Sequence, residues 1–301
     1  MANQRGQLLD PTELAKLRSL SMLARVAVEG FLGGLHRSLA HGFGMEFEQY
    51  RNYTPGEDLK YLDWKVLARS DRLYTKVFQE ETDTDCLLLL DRSGSMGYQG
   101  SAAPCTKLRY AAMVAACLAY LVDRQGDHPG LYPYADRLGD IVPPRRQRAG
   151  LSTVLNVLEG VEAGGAAHHR HALEPLVPRV RRRSVVVLIS DFLEAEEETP
   201  GLLRSFAARG CDVLAVQVLD RDEYDLPPVD FARFIDLETE ARLSASPKLT
   251  RERYRSDFGA FQRSLADGFN ANRVPFVSVF SDESLGSVLA PFLRRRAALP
   301  A

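Results

Sequence analysis

Two apolar runs in this sequence end in side chains whose types suit the capture of a cation. Leu87-Leu88-Leu89-Leu90 leads into Asp91-Arg92-Ser93-Gly94-Ser95-Met96, and the run 185–189 leads into Ser190-Asp191-Phe192. Continuous apolar runs of this length fit strands buried on both faces of a parallel sheet. In open α/β sheets, ligands bind beyond the carboxyl ends of the strands. If the two strands are neighbours, Asp91, Ser93, Ser95 and Asp191 meet at one edge. Two carboxylates and two hydroxyls make an all-oxygen set suited to a hard divalent cation, Mg²⁺ or Mn²⁺. Glycine at position 94 lets the turn carry both hydroxyls to one side. A plainer reading has Asp91 cap the turn through Ser93 and Ser95. The position directly after a buried strand, with a second strand ending in Ser-Asp, favours the cation.

The elements that must hold these residues are legible as an alternation. After residue 84, strand-like and helix-like segments follow one another, which argues for a mostly parallel sheet covered by helices. The pattern predicts strands over 86–90, 130–134, 184–190, 212–219, 231–237 and 275–279, with a return strand over 137–142. It predicts helices over 107–124, 151–158, 171–180, 202–209, 250–271 and 284–293. Before this part, residues 11–37 read as one helix opened by Asp10-Pro11, with an apolar stripe of Leu14, Leu17, Leu20, Leu23 and Val26 facing the protein's own core. Segments 45–53, 61–67 and 73–78 read as a small β-meander that includes Trp64. The chain therefore divides into 1–83, a helix and small β extension, and 84–301, the α/β domain.

Composition narrows the function classes. In 301 residues, 45% are hydrophobic and 26% charged, as in ordinary globular proteins, and the formal net charge of −2 gives no global attraction to nucleic acid. The arginine-rich stretches 145–148, 179–183 and 294–296 sit at predicted helix ends or near the C-terminus and read as solvated faces. Cys86, Cys105, Cys117 and Cys211 show no C-x-x-C spacing and read as buried reduced thiols. With no apolar run long enough for a transmembrane segment and no signal-peptide core, the expected location is cytoplasmic.

The D-x-S-G-S-M loop after a buried strand resembles the metal-ion-dependent adhesion site, or MIDAS, of von Willebrand factor A domains. Upstream, Gly44-Met45-Glu46-Phe47, Arg51-Asn52-Tyr53-Thr54-Pro55-Gly56-Glu57-Asp58, Leu62-Asp63-Trp64 and Ala68-Arg69 resemble the signature of a bacterial family, the "domain of unknown function fifty-eight". The resemblance covers about residues 42–192. It implies a von Willebrand factor A-like, doubly wound, Rossmann-like sheet, with Asp91, Ser93, Ser95 and Asp191 as metal ligands. Members are often encoded beside MoxR-type AAA+ ATPases, which implies a non-enzymatic adaptor role in chaperone-like maturation of protein complexes. One ligand departs from the pattern. In the stretch 164–173, Ala167 stands where the family's domain type has a threonine, and His168 where an aspartate often follows. Mg²⁺ tolerates water at such a position because it keeps several waters anyway.

Three rival readings remain beside this one. Asp91, Ser93, Ser95 and Asp191 could serve a metal-dependent or serine hydrolase, although Ser93-Gly94-Ser95-Met96-Gly97 lacks the first glycine of a nucleophile elbow. His168, His169 and His171 could bind a transition metal. The acidic run 194–198 and the set Arg51, Asp58, Asp63, Trp64 and Arg69 could be partner surface or internal structure.

Overall fold

The computed structural model describes residues 9–17, 19–34, 49–52, 67, 69, 73–77, 83–145, 149–194, 198–227, 229–238 and 241–298. The chain opens on helices α1 (Pro11–Leu14) and α2 (Leu20–Gly34), then an antiparallel pair, β1 (Gln49–Asn52) with β2 (Tyr74–Val77). The larger part runs β3 (Asp85–Asp91), α3 (Lys107–Arg124), β4 (His128–Tyr134), α4 (Gly150–Glu159), α5 (His169–Leu173), β5 (Val185–Ser190), α6 (Thr199–Ala208), β6 (Asp212–Leu219) and α7 (Arg221–Tyr224). A hairpin of β7 (Ala232–Ile235) and β8 (Arg242–Ala245) follows, then α8 (Pro247–Ala271), β9 (Phe276–Phe280) and α9 (Gly286–Ala298).

Five strands pair in the order β4-β3-β5-β6-β9, all parallel. Residues of even number in β3, such as Leu88 and Leu90, face one layer with Val187 and Ile189 of β5. There they meet α2, α3, α4 and α9. Leu87 and Leu89 face the other layer with Val186 and Leu188, against α5, α6 and α8. Both faces are thus covered, which is why these strands read as unbroken apolar runs rather than alternating ones. This is the doubly wound, von Willebrand factor A-like α/β class. The chain leaves β3 outward to β4 and then returns across β3 to build β5, β6 and β9. The sheet's order therefore reverses between β3 and β5, and their following segments diverge to opposite faces. Such a switch point opens a crevice at the carboxyl ends of the two strands.

The N-terminal stripe does dock on the core, but as two helices rather than one. Ser19 interrupts the pattern: its carbonyl accepts from Leu23 and its hydroxyl from Met22, so α2 restarts there. A serine bonds neighbouring backbone readily and so favours helix starts over interiors. The restart moves the buried stripe to Leu20, Leu23, Ala24, Ala27 and Val28, leaving Val26 only half-buried. The predicted helix 171–180 is a short helix, His169–Leu173, followed by a 3₁₀ turn, Glu174–Arg179, because Pro178 has no N–H to give a longer α-helix. The expected return strand 137–142 is reduced to two bridges, Leu131 with Val142 and Tyr134 with Leu138. Conversely β8 was not anticipated, since Arg242–Ala245 has little apolar alternation to mark it.

The arginines expected to be solvated divide. Arg179, Arg181, Arg182 and Arg183 are exposed, whereas Arg295 pairs with Asp212 and Arg296 with Asp127. These two arginines pin α9 to the amino-terminal edge of the sheet. Arg146 and Arg148 lie outside the described residues. So do most of the expected meander, including Asp58, Asp63 and Trp64, and the centre of the acidic run, 195–197. Cys86, Cys105, Cys117 and Cys211 are all buried and free.

Because α2 shares its core with α3, Leu23→Ala is expected to lower the unfolding free energy by roughly 2–5 kcal/mol, the range for truncating a buried leucine. Urea denaturation followed by circular dichroism should show one earlier transition. An unchanged midpoint would show that α2 contributes no packing.

Candidate functional site

The β3–β5 pairing sets Leu90 against Ile189, so Asp91 and Ser190 end their strands level with each other. Asp91 is fully buried and accepts from the backbone N–H of Ser93 (2.8 Å) and the hydroxyl of Ser190 (2.6 Å). Ser93 and Ser95 stand with their hydroxyl oxygens 3.1 Å apart. The loop then closes as a 3₁₀ turn, Gly94–Gly97, anchored by Met96, which is buried in the core. Burial pushes the Asp91 carboxyl above its usual range. The charge of Asp191 adds to this, while His169 and the Ser190 and Ser93 hydrogen bonds oppose it. A carboxylate held this way is short of positive charge.

Asp191 is placed by backbone strain. Phe192 follows it at φ 54°, a left-handed conformation that costs a bulky residue of order 1–3 kcal/mol and persists only where surroundings enforce it. The surroundings are aromatic: Phe192 packs on Phe269 and Phe276 at 5.3 and 6.2 Å between ring centroids, and on His169 at 5.7 Å. The turn lets Asp191 accept from the Leu193 N–H at 3.1 Å. Its other oxygen accepts from Lys107 at 2.7 Å.

Lys107 is the residue that motif reading missed. Its side chain is fully buried, and its ammonium is shared between Asp191 and Glu223, the latter at 2.5 Å. Burial pulls the lysine's affinity for its proton down, but the two carboxylates outweigh that and raise it. Burial likewise pushes Asp191 up, and here the ammonium and the hydrogen bonds from Lys107, Ser95 and Leu193 win, holding the carboxyl below its usual range. Glu223 is oriented by a capping box at α7, in which Asp220 accepts from Asp222 and Glu223 accepts from the Asp220 N–H. Asp220 also accepts from the Gly100 N–H, so the segments after β3, β5 and β6 are tied together around one ammonium. Two sequence signals pointed here. Lysine at the first position of a helix opposes the helix dipole and needs a partner, and Asp220-Arg221-Asp222-Glu223 spells a capping box.

Ala167 is buried beside the same loop. The N–H of Gly94 donates to Gly165 and that of Gly164 to Arg92, both at 2.8 Å, which lays the 164–167 stretch along Asp91-Arg92-Ser93-Gly94. The three histidines separate: His168 and His171 are exposed, while His169 is buried with its Nδ1 2.8 Å from the Tyr134 hydroxyl and its Nε2 without a partner.

A fourth segment reaches the crevice from the β7–β8 hairpin. A Cβ at Gly94 would collide with the Leu237 carbonyl oxygen and lie 3.3 Å from the Glu238 side chain. Only glycine admits this approach. Both carboxylate oxygens of Glu238 are buried without a hydrogen-bond partner. Its carboxyl is pushed up to about 8, first by burial and then by Glu194, with the backbone groups of Ser95 and Ala167 acting in the opposite sense. Glu194, the first residue of the acidic run, therefore does lie at the crevice; Glu198 pairs instead with Arg170.

The structure thus brings Asp91, Ser93, Ser95 and Asp191 together. Among the described residues, no three His, Cys, Asp or Glu side chains form a ready metal cage. The donors that do converge are hydroxyl and carboxylate oxygens, and the buried carboxylates of Asp91, Asp191 and Glu238 have one nearby ammonium, already shared with Glu223. That donor chemistry and the orphaned Glu238 oxygens fit a hard divalent ion. No helix among the described residues is long and apolar enough to cross a membrane.

The family described as "Protein of unknown function DUF58" matches residues 49–264. The uncharacterized protein Rv1480 of Mycobacterium tuberculosis is 30% identical over 302 residues, covering 98% of this chain and 94% of that protein. Among solved structures, the conserved hypothetical protein BatB from Bacteroides thetaiotaomicron is 13% identical with a TM-score of 0.48, over 71% of this chain and 98% of that one. The SpRpn10 VWA domain is 12% identical with a TM-score of 0.41, over 72% and 99%.

Removing one partner of a buried ion pair leaves the other charge uncompensated. Lys107→Met is expected to cost roughly 3–5 kcal/mol, measured by urea unfolding at neutral pH. Because the folded Asp191 carboxyl lies below its unfolded value, its contribution is present at neutral pH and is lost as pH falls through the folded value. The variant should accordingly lose part of the wild type's stability decline below about pH 4. An unchanged acid limb would show that the pair carries none of it.

Proposed function

This chain belongs to the DUF58 family and carries a von Willebrand factor A-like domain, and on that premise we propose that it is a non-enzymatic protein-interaction adaptor. Its docking face is the crevice at the carboxyl ends of β3 and β5. There Asp91, Ser93, Ser95 and Asp191 hold Mg²⁺ or Mn²⁺, as the family resemblance implies. Its partner is an AAA+ ATPase of the MoxR type, met in the cytoplasm during chaperone-like maturation of a protein complex.

One observation carries this reading: four oxygen-bearing side chains from two separate strand ends meet at the sheet's switch point in surroundings short of positive charge. A bound ion would supply the missing charge and an electrophilic point for a carboxylate on the partner. Water can stand at the position Ala167 leaves without a hydroxyl. Lys107 holds Asp191 ionised and in place, and the Ser190 hydroxyl fixes one oxygen of Asp91.

The hydrolase alternative finds less support. Ser93 is buried and its hydroxyl faces Ser95, while the nearby His169 spends its Nδ1 on Tyr134. A nucleophilic serine needs a base within hydrogen-bond reach, and neither hydroxyl has a histidine there.

Calorimetric titration with Mg²⁺ and with Mn²⁺ tests the site. Saturable binding is expected in the wild type and its loss in Asp91→Ala; no saturable binding in the wild type would overturn the metal-dependent reading. Affinity capture with the native protein should bring down an AAA+ ATPase identified by mass spectrometry. Turnover in an esterase or phosphatase screen that Ser93→Ala abolishes would replace the adaptor by an enzyme.

A further inference from the structure

We propose that Glu238 is an in-chain ligand of the cation. It occupies the coordination position through which the site would otherwise take a partner's carboxylate, and the β7–β8 hairpin is a lid that the partner displaces. This rests on the cation reading above and adds a residue to it that no motif contains.

The argument starts from what Glu238 lacks. Both Glu238 oxygens are buried without a well-formed hydrogen bond, although the Glu194 carboxyl and the backbone N–H groups of Ser95 and Ala167 lie beside them, and a carboxylate so poorly satisfied ordinarily ends in pairing or coordination. Among the described residues of the hairpin, none gives these oxygens a hydrogen bond. The hairpin instead holds the group in place: Asp236 accepts from the Glu238 N–H at 2.8 Å and donates its own N–H to the Ala241 carbonyl. The group points to the place where the two site loops meet. The backbone N–H groups of Ser95 and Ala167 both lie against the carboxylate and favour its ionised form, one from the D-x-S-G-S loop and one from the stretch that lacks its threonine. The close approach is built in on the other side as well, since only a glycine at position 94 leaves room for the Leu237 backbone.

A lid must also be able to leave. β7 alternates half-buried and exposed positions and β8 is mostly exposed, and Phe231, Ile235, Leu237 and Leu243 all present apolar side chains to solvent. The hairpin is therefore held by little buried apolar surface, which is the property of elements that open at low cost. The contact of Leu237 and Glu238 over Gly94 is the hold on the crevice. An arriving carboxylate would compete for the same ion, and the displaced hairpin would carry its exposed apolar residues to the edge of the docking face.

Mn²⁺ titration by calorimetry on wild type, Glu238→Gln and Asp91→Ala, paired with hydrogen exchange over residues 232–245, tests this. Wild type is expected to bind saturably, with the ion slowing exchange in the hairpin. Glu238→Gln should bind at least roughly tenfold more weakly, the scale on which groups around a metal matter, and should show no slowing. Equal affinity in wild type and Glu238→Gln, with hairpin exchange unmoved by the ion, would remove Glu238 from the ligand set and leave the cation site standing. Absence of binding in the wild type would remove the cation site and this proposal with it.

Discussion

The ammonium of Lys107, buried between Asp191 and Glu223, is the contact on which the carboxyl edge of this sheet depends. Three strand-end segments must diverge there to start helices on opposite faces, and each carries acidic side chains that would repel one another. One desolvated cation draws them together. A buried pair of this kind need not add net stability relative to an apolar replacement, but it fixes geometry, because removing either partner leaves a bare charge. The fixed geometry is that of Asp191. Its carboxylate is clamped by the lysine on one oxygen and by the Leu193 N–H on the other, with Phe192 forced into a left-handed turn between them.

That clamp also divides the two aspartates of the site. Asp191, beside the lysine, is held more acidic than usual, whereas Asp91, one strand over, is held less acidic because burial and the Asp191 charge outweigh His169 and its hydrogen bonds. Both are fully or nearly fully buried, so the difference comes from charge neighbours rather than from exposure. One carboxylate of the crevice is thus satisfied by a buried cation and another is not, and the Glu238 carboxyl lies beside them.

Much of the fold was written in local pattern. The unbroken apolar strands, the alanine-rich helix α3 and the alternation after residue 84 follow from periodicity, because burial on both faces or on one stripe leaves a direct mark on composition. Departures came where local chemistry overrode the pattern: Ser19 split the N-terminal helix, Pro178 turned a predicted helix into a 3₁₀ turn, and the segment 137–142 kept only two bridges. The D-x-S-G-S loop and Asp191 were legible because each directly ends a recognisable strand, and Ala167 because its stretch aligns with a known loop pattern.

The amino-acid sequence by itself determined the strands, their covering layers and four oxygen-bearing side chains that end them at one edge. Only the tertiary structure decided what surrounds them, since those neighbours come from segments far along the chain. Lys107 meets Asp191 across 84 residues and Glu223 across 116, and Leu237 and Glu238 reach Gly94 from a hairpin whose second strand has no apolar signature. Periodicity records which face of an element is buried, but not which distant charge it is buried against. That second fact sets the ionisation of Asp91 and Asp191, and with it what the crevice can bind.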